Sequence, residues 1–153
     1  MTIIGQDYKP SHPELFKVNF QSGDYASGLF AKKDFKAGDV IAKIEGSTTG
    51  PKRYTSVQIS KLNSDLVYMN HSCSPTAIID IEEMVVRANV DIPKHGELTY
   101  FYPSTEWDMA QPFECKCGST KCLGPVTGAS KLSAKILGQY QLNKHILDLR
   151  ASG

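Results

Sequence analysis

Residues 68–75 read Tyr68-Met69-Asn70-His71-Ser72-Cys73-Ser74-Pro75. Taken alone, this is a polar turn whose side chains can bond to neighbouring backbone groups. Its cysteine has distant company. Residues 115–122 read Cys115-Lys116-Cys117-Gly118-Ser119-Thr120-Lys121-Cys122, three thiols around a glycine turn, and Cys73 is the only other cysteine of the chain. Three sulfurs so close are poor disulfide partners for one another in a reducing compartment, but they suit a tetrahedral ion that needs one ligand more. Cys73, Cys115, Cys117 and Cys122 are therefore expected to bind one Zn²⁺ in a closed, structural site. Such a site pins residues 115–122 against the segment around Cys73 and converts metal affinity into local folding energy.

Around these motifs the composition sets limits. The chain has 153 residues, enough for one domain with a core that needs no disulfide staples. Its 17 Lys+Arg against 16 Asp+Glu leave a net charge of +1, which argues against a strongly basic nucleic-acid binder and against an acidic tail protein. Apolar runs such as Ala77-Ile78-Ile79 and Val85-Val86 fall far short of the roughly 20 residues that cross a bilayer. The opening Met1-Thr2-Ile3-Ile4-Gly5 lacks the basic and apolar regions of a secretory signal. No membrane partner and no direct nucleic-acid partner is expected. The expected location is intracellular, in nucleus or cytoplasm, where thiols stay reduced.

Period-two alternation and turn residues predict a mainly β protein with short helices. Strands are expected at Phe16–Phe20, at Gly28–Ala31, and at Val40–Ile44 behind the Lys36-Ala37-Gly38-Asp39 turn. Residues 46–56 read as a polar loop. Ile78–Ile81 and Met84–Val90 flank Glu82-Glu83 as a hairpin, and Glu97–Tyr102 follows the Pro93-Lys94-His95-Gly96 turn as a strand that Pro103 ends. Between Lys131 and Arg150 the apolar residues take a helical period that Gly138 weakens, which predicts one or two short helices.

Asn70-His71-Ser72-Cys73-Ser74-Pro75, then Gly96-Glu97-Leu98-Thr99-Tyr100-Phe101-Tyr102, then Cys115-x-Cys117-x(4)-Cys122 follow one another in an order that resembles the SET-domain family of protein-lysine methyltransferases. Ser27-Gly28-Leu29-Phe30-Ala31 is similar to that family's opening glycine element, and Phe35-Lys36-Ala37-Gly38-Asp39-Val40-Ile41 to the strand that follows it. The resemblance implies several small β-sheets with a pseudoknot, in which the Tyr102 segment passes through a loop bounded by Asn70–Cys73. It also implies a C-terminal zinc-bound post-SET segment. The corresponding organisation is an N-terminal arm at 1–15, a SET domain at 16–109, a post-SET zinc segment at 110–128 and a helical segment at 129–153. Residues 1–15 contain no cysteine, so no cysteine-rich module is expected before the SET domain.

The implied activity is transfer of a methyl group from S-adenosylmethionine to a lysine of a histone or another protein. By the same resemblance Ser27, Gly28, Leu29, Tyr68, Asn70, His71, Tyr102 and Leu123 would hold the cofactor, through backbone around Ser27–Leu29, the Asn70 side chain and the His71 main chain. Tyr102 stands at the catalytic tyrosine position. Tyr100 stands where the family carries Phe or Tyr, and a hydroxyl there implies that monomethylation dominates. Phe101 replaces the family's Asp between the two tyrosines, and Thr76 replaces its Asn after Pro75. Val67 and Ala26 also depart from the pattern. Two other readings stay open: an enzyme on the same fold acting on a small-molecule metabolite, and a non-catalytic binding module. Minimal members of this kind can pair as homodimers.

Overall fold

The computed structural model describes residues 12–19, 28–44, 47–49, 57–59, 65–109, 113–115, 117–120 and 122–152. Ser27, Ala26 and residues 1–11 of the expected arm lie outside the described residues.

Alternating burial writes the strands. In β1 (Phe16–Asn19) Phe16 and Val18 are buried while Lys17 and Asn19 are exposed, the inward and outward faces of a half-covered strand. β1 pairs antiparallel with β2 (Gly28–Ala31), and β2 pairs antiparallel with β9 (Glu97–Tyr100), with Leu29 opposite Leu98. β3 (Val40–Lys43), β8 (Val85–Ala88) and β7 (Ala77–Asp80) form a second, antiparallel sheet, with a register shift between Val40 and Ala42. Phe16, Leu29, Leu66, Met69, Ile79, Val86, Ile92 and Leu98 fill the space the two sheets share, and each such side chain contributes roughly 1.5–3 kcal/mol by leaving water. The β7–β8 turn is closed by Glu83 N–H donating to Asp80 Oδ1 at 3.0 Å.

Three expectations need correction. The segment expected as a polar loop contains β4 (Ser47–Thr49), which pairs with β5 (Val57–Ile59). The strand expected to run to Tyr102 ends at Tyr100. A 3₁₀ turn, Tyr102–Ser104, follows it, because Pro103 cannot donate to a ladder. Asn70-His71, expected in a turn, is the short strand β6, which joins the first sheet parallel to β9 and completes the order β1-β2-β9-β6. Beyond it β10 (Phe113–Glu114) pairs with β11 (Pro125–Val126) and frames the three-cysteine segment.

Two short helices occupy the end of the chain, α1 (Ala134–Leu137) and α2 (Lys144–Ser152). Ser133 caps α1 by accepting from Ile136 N–H, and the helix ends at Gly138. Leu137 and Ile146 pack with Ala129 against Phe101 in a separate apolar cluster. Gly128 makes the turn into it with φ 109° and ψ 168°, a region open essentially to glycine alone, and a Cβ there would strike the Trp107 carbonyl. Buried Asn143 is the polar pin: its Nδ2 donates to Ile79 O and Ser104 O, each at 2.9 Å, and its Oδ1 accepts from Ile81 N–H at 2.9 Å. Asn143→Ala strands these groups, and an unpaired buried polar group costs about 1–3 kcal/mol. The expected outcome is a loss of about 3 kcal/mol in denaturant unfolding, with the slope of the transition unchanged.

Candidate functional site

The β6–β9 pairing sets Asn70 beside Thr99 and His71 beside Tyr100, and Ser72 N–H donates to Tyr100 O at 3.1 Å. Two motifs far apart in the chain thus share one ladder. Tyr102 is held at both ends by the first of them: its hydroxyl donates to Met69 O at 3.0 Å and its backbone N–H donates to His71 Nδ1 at 3.1 Å. The hydroxyl has one hydrogen, and Met69 takes it. Its oxygen can then act toward a neighbour as an acceptor. The Tyr100 ring lies 4.7 Å from the Tyr102 ring, centroid to centroid, and Phe113 lies 5.9 Å from Tyr102 on its edge. Burial, with the Glu106 carboxylate nearby, pushes the Tyr100 hydroxyl well above the usual phenol range, so it stays protonated.

Cofactor candidates fall into two groups. Gly28, Asn70 and Glu97 converge: Asn70 Nδ2 donates to Glu97 Oε2 at 3.4 Å, and a Cβ on Gly28 would lie 3.1 Å from that same oxygen and 3.1 Å from the Phe30 ring. Bare backbone, an amide and a carboxylate here make a polar cradle that any side chain at position 28 would crowd. Leu29 differs, since its side chain is wholly buried in the core and could meet a ligand through its backbone alone. Tyr68 closes the 3₁₀ turn Leu66–Tyr68 and packs half-buried on the core. Leu123 sits at the cysteines, where its N–H donates to Cys73 Sγ at 3.3 Å.

The four cysteines come together, their sulfurs all within 4.8 Å of one another and Cys73 Sγ 3.9 Å from Cys115 Sγ. Four sulfurs at about 2.3 Å from one tetrahedral ion would be about 3.8 Å apart, so the donor set fits Zn²⁺ in number, chemistry and spacing. Cys73 and Cys115 are buried, and burial pushes both thiols up as long as nothing cationic lies between them. At Cys117 burial works in the same direction, but hydrogen bonds from the Ser119 and Cys73 backbone N–H groups and from the Cys115 and Cys122 side chains together outweigh it and bring the thiol down. A cation would release these protons on binding. Met109 and Val126 close the apolar side of the cluster.

Some of the supporting groups carry no signal in the sequence. Tyr140, 67 residues from Cys73 along the chain, donates its hydroxyl to Cys73 O at 2.6 Å, and its ring stacks on Phe101 with centroids 3.6 Å apart and planes 4° apart. Phe101 is thereby accounted for as a packing residue, buried with Ala129, Leu137 and Ile146. Glu97 was legible as a strand residue and as part of the Gly96–Tyr102 motif, and its place beside Asn70 and Gly28 comes from pairing. Tyr140→Phe keeps the stack and removes one hydrogen bond, so it is expected to cost about 1 kcal/mol of stability in denaturant unfolding.

Residues 26–103 match the SET domain. The chain is 44% identical over 151 residues to the methyltransferase flvH of Aspergillus flavus, an alignment covering 94% of this chain and 85% of that protein. It is 35% identical over 77 residues to the histone-lysine N-methyltransferase, H3 lysine-4 specific, of Aspergillus oryzae, covering 46% of this chain and 6% of that one. The fold is similar to the crystal structure of KRYPTONITE in complex with mCHG DNA and SAH, with a TM-score of 0.52 at 19% identity over 72% of this chain and 29% of that one. The chain belongs to the SET-domain family and is a methyltransferase.

Proposed function

We propose that the chain transfers the methyl group of S-adenosylmethionine to an amine nitrogen beside Tyr100 and Tyr102, the amine being a protein lysine, and that Cys73, Cys115, Cys117 and Cys122 hold one structural zinc ion. The observation that carries this reading is the double anchoring of Tyr102 to the Met69–His71 segment. When bound, the cofactor supplies a sulfonium-linked methyl group. Asn70, oriented by Glu97, and the bare backbone of Gly28 suit the ammonium of its amino-acid end.

A lysine at pH 7 lies more than three units below its ordinary pKa, so presenting the free amine costs about 4–5 kcal/mol. Aromatic walls and a nearby positive charge both favour the neutral amine, and no strong base is needed. Tyr102 contributes orientation: its hydroxyl, with the hydrogen given to Met69, turns lone pairs toward an amine N–H. Tyr100 stays protonated, so its hydroxyl can donate to the amine or to a water beside it.

A second reading, a small-molecule amine as substrate, draws on one observation. The identity to the histone-lysine enzyme of Aspergillus oryzae is confined to 77 residues, whereas the 44% identity that runs along almost the whole chain is to flvH, a methyltransferase whose name specifies no protein substrate. Incubation with methyl-labelled cofactor separates the two: label in histone or other cell protein supports lysine, and label confined to a small-molecule extract transfers the reading to the metabolite.

Three expected outcomes follow for the site. Tyr102→Phe leaves cofactor affinity nearly unchanged in calorimetry but lowers turnover by about 10²-fold, and a loss under about threefold would remove Tyr102 as the orienting group. With a lysine substrate, Tyr100→Phe shifts mass-spectrometric product from mono- toward dimethylated. Purified protein carries close to one zinc per chain by elemental analysis, and Cys73→Ser releases it together with a lowered melting temperature.

A further inference from the structure

His71 is almost fully buried, and both its ring nitrogens are used. Nδ1 faces the Tyr102 backbone N–H at 3.1 Å. Nε2 faces Cys73 Sγ at 3.3 Å. A backbone N–H can only donate, so Nδ1 must be the bare nitrogen of a neutral imidazole and the proton must sit on Nε2, aimed at the sulfur. The ring is walled by Phe101, Tyr102 and Phe113, at centroid distances of 5.6, 5.3 and 5.8 Å. That enclosure leaves it no alternative partner among the described residues at those two atoms. The sulfur already takes the Leu123 N–H, so a metal-bound Cys73 thiolate would receive two N–H donors. Such donors fix a ligand's orientation and typically alter metal affinity 10–100-fold when removed.

We propose that His71 is a positioning residue that couples the four-cysteine site to Tyr102, its Nε2–H held by the Cys73 sulfur and its Nδ1 holding the Tyr102 amide. The inference rests on the zinc reading given above and goes beyond it by assigning the His71 side chain. Metal bound at the cysteines fixes the sulfur as an acceptor. The acceptor fixes the ring, and the ring fixes the backbone from which the Tyr102 hydroxyl is presented. Loss of the metal frees the Cys73 side chain from its fixed place, and Nε2–H loses a positioned acceptor. The Tyr102 amide then loses its rigid partner although it touches no cysteine.

Two conservative variants divide the link at its middle. An asparagine can place its amide oxygen where Nδ1 stands but reaches no further, and a glutamine can place its amide NH₂ where Nε2 stands but offers nothing at Nδ1. Three measurements are made on the zinc-loaded full chain: zinc affinity by chelator competition, hydrogen exchange of the Tyr102 amide, and the ¹⁵N spectrum of the histidine rings. For the native chain the expected spectrum of His71 is the neutral Nε2–H tautomer, and chelation speeds Tyr102 amide exchange about tenfold or more. His71→Asn is expected to weaken zinc about tenfold while Tyr102 exchange stays within about threefold of native. His71→Gln is expected to hold zinc within about threefold and to speed Tyr102 exchange about tenfold.

An Nδ1–H or doubly protonated His71 ring overturns the proposal, as does Tyr102 exchange indifferent to chelation. Zinc affinity unmoved in His71→Asn, or exchange unmoved in His71→Gln, overturns the corresponding half. A chain that takes up no zinc overturns the cysteine-site reading itself, an outcome that elemental analysis separates from the others. Should both variants fail to fold, the native tautomer and the native response to chelation decide alone.

Discussion

Two residues of backbone, Asn70 and His71, lie parallel to Thr99 and Tyr100, and the site exists because this ladder holds. Parallel neighbours cannot be joined by a tight turn, so the chain leaves at Ser72, builds the β7–β8 hairpin and returns along β9. A ladder this short is weak by itself. It is clamped from both sides: Met69 just before it is buried in the main core, and Cys73 just after it is buried in the cysteine cluster. Tyr102 inherits its position from the same clamp, through Met69 O at one end and His71 Nδ1 at the other.

The cysteine cluster is also where the electrostatics are least balanced without a cation. Burial resists ionising Cys73 and Cys115, while backbone N–H groups favour the Cys117 thiolate. One divalent ion resolves both tendencies, since it supplies the charge that burial withholds. A metal bound there would therefore do more than join residues 115–122 to residue 73. It would also fix the place of the sulfur beside His71, and so how firmly the inner side of the ladder is held.

The parts of this architecture that are local or chemically marked could be read from the chain. Phe16–Asn19 alternates because one face is covered, and its strand was legible from that period. The four thiols were legible because metal coordination demands a fixed number and spacing of sulfurs. What could not be read is what pairing alone creates. Ser47–Thr49 has turn chemistry and becomes a strand only opposite Val57–Ile59. Asn70-His71 has no strand signal in two residues and becomes one only beside β9. Glu97 meets Asn70 and Gly28 only when β2, β9 and β6 align, and Asn143 carries no motif to announce that it ties Ile79, Ile81 and Ser104 together.

The bond from Tyr140 to Cys73 spans 67 residues. A ribosome adding 5–20 residues each second needs roughly 3 to 13 seconds to cover that distance. The emerging Asn70–Cys73 segment waits through all of that interval for the Tyr140 hydroxyl, and until Cys122, 49 residues on, for its full set of later cysteines. The strands of the first sheet can form during this time, but Phe101 still presents an uncovered aromatic face. Completion of the site is thus a late event in the life of each new chain, and the nascent segment is exposed to premature thiol chemistry until its last quarter arrives.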